Sequence, residues 1–127
     1  MRTLLVVSTL LALSWNLAGC GSGGGGSTTS GVSSSKTLVS LNDAEKGMIC
    51  DWSMAKFGGY GTRTSCASPL FSYADQAECI ADSPSPTSTP NCQATVALME
   101  ACVNSLPPCP TLADVGNSSQ CVALSTC

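Results

Sequence analysis

Three stretches of the chain place apolar residues at the 3.6-residue period of a helix, and each is bounded by residues that start or stop helices. Leu41, Ala44, Met48, Trp52 and Ala55 fall on one face, which predicts an amphipathic helix. Asn42 and Glu45 stand in the relation of a capping box, each side chain reaching the other's backbone N–H. Gly58 and Gly59 follow, and glycine takes the left-handed turn that ends a helix without a Cβ penalty. A second helix is expected over 73–81. Tyr73, Ala77, Ile80 and Ala81 make its apolar stripe, and Asp75, Glu78 and Asp82 its wet face. The Pro- and Ser-rich stretch 83–90 then reads as a surface loop. A third helix is expected over 93–106, with Val96, Met99, Val103 and Leu106 inward, ended by Pro107 and Pro108. The tail beyond has no long periodic run, and one short turn is expected at 122–124. Residues 58–66 read as a turn leading into a short strand.

The start of the chain follows a different pattern. Arg2 precedes an apolar block over 4–13 interrupted only by Ser8 and Thr9. That block suits a signal peptide and is too short to cross a hydrocarbon core of about 30 Å, which takes roughly 20 helical residues. Leu17-Ala18-Gly19-Cys20 resembles the lipobox of bacterial lipoproteins. The resemblance implies a signal peptide over 1–19, cleavage before Cys20, diacylglycerol on the Cys20 thiol and acylation of the new amino terminus. Two or three acyl chains anchor a protein stably where one does not. All but one of residues 21–35 are Gly, Ser or Thr. Such a run has little apolar area to bury, so 20–35 is expected to be a lipidated Cys followed by a disordered tether, with an end-to-end distance of roughly 20–23 Å. In enteric bacteria Asp after the lipidated Cys resembles a signal for inner-membrane retention. Gly21 stands there instead, which points to the outer membrane of a two-membrane cell.

Cysteine count sharpens the fold class. The chain has nine Cys and no His. Setting Cys20 aside for lipid leaves Cys50, Cys66, Cys79, Cys92, Cys102, Cys109, Cys121 and Cys127 in the 36–127 domain, an even set able to form four disulfides. The expectation is therefore a small, disulfide-rich, mainly α domain of about three short helices with irregular loops. Cys92 and Cys102 would lie about 15 Å apart along a helix beginning near Gln93, beyond the roughly 7 Å a bridge spans. Cys79 and Cys92 flank the Pro-rich loop and are placed to meet. No pair has CxxC spacing, and without His no imidazole ligand or His-activated nucleophile exists, so neither a metal nor a cofactor is expected.

Charge narrows the partners. The formal charge is −3, and the part of the chain after Cys20 carries four Lys/Arg against eight Asp/Glu. That balance excludes a nucleic-acid binder, which needs a basic patch. Asp75, Glu78 and Asp82 are candidates for carboxylate chemistry or calcium binding. They lie opposite the apolar stripe, as a solvated face does, and lack the EF-hand pattern. Phe57 and Tyr60, set among Lys56, Gly58, Gly59 and Gly61, form a candidate binding edge for carbohydrate or peptide, or else a helix stop whose aromatics pack on the core. Asn117-Ser118-Ser119 matches a glycosylation sequon, which a bacterial lipoprotein would not normally use.

The domain also resembles small Cys-rich lipoproteins of myxobacteria, through Cys50-Asp51-Trp52, Gly58-Gly59-Tyr60-Gly61 and Glu100-Ala101-Cys102-Val103. That resemblance brings no activity and implies none. The leading expectation is a non-catalytic binding or structural module of the cell envelope, held to a membrane through Cys20 and facing the periplasm or exterior, with an unidentified protein or carbohydrate ligand. The alternatives are a small carboxylate-dependent hydrolase and an inhibitor- or toxin-like effector presenting the 83–90 loop.

Overall fold

A computed structural model describes residues 26–61, 71–125 and 127. The protein is a small, mainly helical, disulfide-rich domain. Among the described residues five helices follow in order: α1 Asp43–Lys56, α2 Gln76–Asp82, α3 Val96–Ser105, α4 Leu112–Asn117 and α5 Ser119–Val122, with a 3-10 turn at Leu38–Ser40 ahead of α1. Among the described residues the only β-type pairing is one antiparallel bridge, Thr37 with Thr95. No helix among them is long and apolar enough to cross a membrane.

The helix starts are set by local polar chemistry. Asn42 Oδ1 accepts the Glu45 N–H at 2.9 Å, and the Glu45 carboxylate accepts the Asn42 N–H, completing the expected box. Thr95 caps α3 and Asp75 caps α2, so both helices begin three residues later than periodicity suggests. α4 opens on a second capping box, Thr111 with Asp114, and Ser118 caps α5. These two helices replace the single short turn expected in the tail. α4 has no buried residue, and Leu112 is 76% exposed. A helix with no buried face leaves no apolar period to read, so its cap is the only signal.

Three disulfides join these elements. Cys50–Cys79 ties α1 to α2, Cys102–Cys121 ties α3 to α5, and Cys92–Cys127 ties the approach to α3 to the chain end. Cys109 is disulfide-bonded as well, and Cys66 lies outside the described residues. The expected meeting of Cys79 with Cys92 across the Pro-rich loop does not occur. Cys79 faces inward from α2 onto α1, while Cys92 is buried under the chain end. Cys92 and Cys102 are separate, as helical rise requires.

The core has two parts, both in contact with Met99. One gathers Leu38, Leu41, Ile49, Ala94 and Val96 with Val32; the other gathers Trp52, Phe57 and Val103 against Phe71 and Leu106. On α3 the inward residues are as expected: Val96 and Val103 are fully buried, and Met99 and Leu106 partly. On α1 the expected stripe is wrong in part. Leu41 and Trp52 are buried, but Ala44, Met48 and Ala55 are exposed, and Ile49, Cys50, Ser53 and Met54 face in. Two partners on different sides, the disulfide to α2 and the α3 core, rotate the buried face away from the purely apolar register. On α2 only Cys79 is buried, and Ala77 and Ala81 are exposed, so a covalent bond holds this helix where an apolar stripe was expected.

Candidate functional site

The largest departure from the sequence pattern lies at the amino-terminal side. Residues 26–35, expected to be a free tether, form a strap packed along the seam between α1 and α3. The Trp52 indole N–H donates to the Ser27 carbonyl at 2.8 Å, and the Asn104 amide to the Thr28 carbonyl at 2.7 Å. The Ser30 N–H and hydroxyl both donate to Glu100 Oε1, at 2.6 and 2.7 Å. The Ala97 and Val96 N–H groups donate to the Ser34 and Lys36 carbonyls. Lys36 then pairs with Glu45.

The partners step in order. Along α1 the strap meets Lys56 near Gly26, then Trp52, then Met48 against Gly31, then Glu45. Along α3 it meets Asn104, Glu100, Ala97 and Val96. Three of the α1 contacts are four residues apart, which places them on one helical face. Met48 and Trp52 thus share one face, on which the strap covers Trp52 and leaves Met48 exposed. Composition argues against order here because it counts apolar area, and Val32 is the one apolar side chain the strap buries. Its remaining hold is hydrogen bonding to groups 25 to 76 positions away, side chains on α1 and α3 and the Ala97 backbone N–H. Gly31 adopts φ 83°, which selects glycine, and a Cβ there would meet the Met48 methyl at 3.2 Å.

Glu100 is the buried charge of the seam, 6% exposed. A carboxylate taken from water requires hydrogen-bond donors, and Ser30 supplies two to one oxygen. Glu45 lies at the seam's far end. The Lys36 ammonium, followed by the Asn42 N–H, holds its carboxyl below the usual carboxylate range.

Of the two readings of this segment, the helix stop whose aromatics pack on the core describes Phe57. Phe57 is buried and stacks on Phe71 with centroids 5.2 Å apart. It is part of the core because Gly58 and Gly59, both at positive φ, turn the chain back immediately after it. The Tyr60 hydroxyl donates to Asp51 Oδ1 at 2.9 Å, and the Gln76 amide donates to Asp51 Oδ2 at 2.8 Å. Burial, then the Asp51 hydrogen bond, raises the Tyr60 hydroxyl above its ordinary value. Asp51 therefore clamps the post-α1 turn and α2 to α1.

The α2 carboxylates do not converge on a pocket. Asp75 accepts the Glu78 N–H as N-cap, Glu78 accepts the Ala74 N–H, and Asp82 accepts the Tyr73 hydroxyl at 2.8 Å. All three are exposed. Burial and the Asp82 contact push Tyr73 up to about 12. No group of three or more Cys, Asp or Glu among the described residues is arranged to hold a metal ion.

Two apolar hollows flank α3. One of about 170 Å³ lies between Leu38, Ile49, Pro84 and Leu124, and one of about 370 Å³ between Phe71, Val103, Val115 and Val122. Met99 borders both. Ser83 and Lys46 are among the residues lining the first and Ser125 among those lining the second, with no carboxylate in either wall. No protein-family model, curated protein or solved structure matches the chain.

Proposed function

We propose that this is a lipid-anchored, extracytoplasmic, Cys-rich module whose role is binding or structural and not catalytic. The observation that carries the reading is the disposition of the cysteines. All seven described cysteines are disulfide-bonded, which suits an oxidising compartment outside the cytoplasm. Cys20 ends a lipobox that directs export and acylation. The three α2 carboxylates, the first candidates for hydrolysis, are occupied with a helix cap, a backbone contact and a tyrosine contact. The anchoring test is fractionation of cells expressing wild type and Cys20→Ala. Wild type is expected in the detergent-extracted membrane fraction, and Cys20→Ala in the soluble extracytoplasmic fraction or retained as precursor. Wild-type protein in the soluble fraction would overturn the reading.

A second reading, an inhibitor-like module, draws on the 83–90 loop. Ser85 and Ser88 cap each other's N–H groups reciprocally, and the Thr89 N–H donates to the Ser85 carbonyl at 2.9 Å. The loop is thus braced while residues 86–88 stay exposed. Resistance of this loop to proteases that cut unstructured Ser/Pro peptides is expected; rapid nicking there would remove the reading.

A further inference from the structure

We infer that the strap fixes which face of the domain meets the membrane: the end formed by the carboxyl termini of α1 and α3 lies against the phospholipid headgroups. The inference rests on the lipid-anchor reading. If the whole of 21–35 were free, the domain would float on a long leash with no preferred face. The chain is instead held at Ser27 by Trp52 and at Thr28 by Asn104, and Gly26 lies beside the Lys56 ammonium. Six Cα–Cα steps separate Cys20 from Gly26, which reach about 20 Å at full extension and about 12–15 Å as a flexible coil. The length of chain outside the described residues, and the point where it ends, therefore restrict what can touch lipid.

The surface beside that point fits the role. It is a shallow hollow lined by Gly26, Ala55, Lys56, Asn104, Leu106 and Pro108. Its one charge is the Lys56 ammonium, set 5.4 Å over the Trp52 ring, and no carboxylate lines it. A lone cation among neutral residues suits a headgroup layer carrying anionic phosphate. The opposite end of α1, about 20 Å further off at helical rise, carries Asp43 and Glu45, each beside a lysine, Lys46 and Lys36.

The test uses the mature, acylated, isotope-labelled chain in nanodiscs of zwitterionic and anionic phospholipid that include a gadolinium-chelate headgroup lipid. Paramagnetic broadening of the amides is expected to be strongest at 26–28, 55–56 and 104–106 and weak at 37, 43–46 and 94. In a variant with about twenty Gly/Ser residues inserted after Gly21, whose coil spans roughly 25–31 Å, broadening at the first set is expected to fall at least severalfold. Uniform broadening in the acylated wild type, or broadening strongest at 43–46, would overturn the orientation while leaving the anchor intact. An unchanged pattern in the insertion variant would overturn the short leash as its cause. A chain recovered without acyl groups, failing to join the nanodisc, would overturn anchor and orientation together.

Discussion

Glu100 sits at the middle of the seam, and one of its oxygens takes both the N–H and the hydroxyl of Ser30. Ser30→Ala leaves this buried carboxylate with a single donor from the strap, a loss of about 1–3 kcal/mol. Chemical denaturation should show a lower midpoint with an unchanged slope; an unmoved midpoint would contradict the role given to Ser30. The chain's two tyrosines make a second test. Tyr60 and Tyr73 are both raised, burial first and a carboxylate partner second. A group whose folded value is raised contributes stability that is whole below its unfolded value near 10 and is lost as pH climbs through the folded value. Tyrosinate absorbance should therefore rise late, near pH 12 for Tyr73, and return to about 10 in denaturant. Titration of both at about 10 in the native protein would show that neither hydroxyl is held. Asp114 runs the other way. The Thr111 N–H and then its hydroxyl keep that carboxyl low, so its contribution is present at neutral pH and lost on acidification through the folded value. The sequence pattern offers the helix stop that places Phe57 on the core, but not the Tyr60 contact with Asp51, because one turn of positive-φ glycines sends the two rings to different neighbours.

At the scale of elements, legibility follows the range of the interaction. The Asn42/Glu45 box and the inward residues of α3 are local, and periodicity finds them. The Thr111/Asp114 box is equally local, yet α4 buries nothing, and a helix search keyed to apolar period passes over it. Amide exchange in α4 should accordingly be fast compared with α3, whose Val96 and Val103 are fully buried. The strap is the least legible element, because its hold is made by partners distant along the chain. Its composition signals disorder until Trp52, Glu100 and Asn104 are brought beside it. Trp52 reports on it directly, being the one tryptophan after the expected cleavage site. Deleting 26–31 removes the Ser27 carbonyl and the cover over the indole, so Trp52 emission should shift to the red with the helices intact. Emission unchanged by the deletion would show that the strap does not cover the ring.

The molecule as a whole is a set of short helices with a divided, modest core, and the three bridges between described residues span separations of 29, 35 and 19 residues. Closing loops of that length in the unfolded chain is worth about 3–4 kcal/mol each in the chain-entropy account, comparable with the entire net stability of a small domain. Reduction should abolish the cooperative thermal transition; a melt unchanged in strong reductant would contradict the scaffold assigned to the cysteines. The central claim is a division of labour among nine thiols: one for lipid, eight for bridges. It is tested most directly by the intact mass and disulfide map of the mature protein extracted from membranes and alkylated without reduction. The account predicts a chain beginning at Cys20 that carries acyl groups, takes up no alkylating agent and has Cys66 joined to Cys109. A chain that keeps residues 1–19, or one in which Cys20 is found in a disulfide, would contradict it.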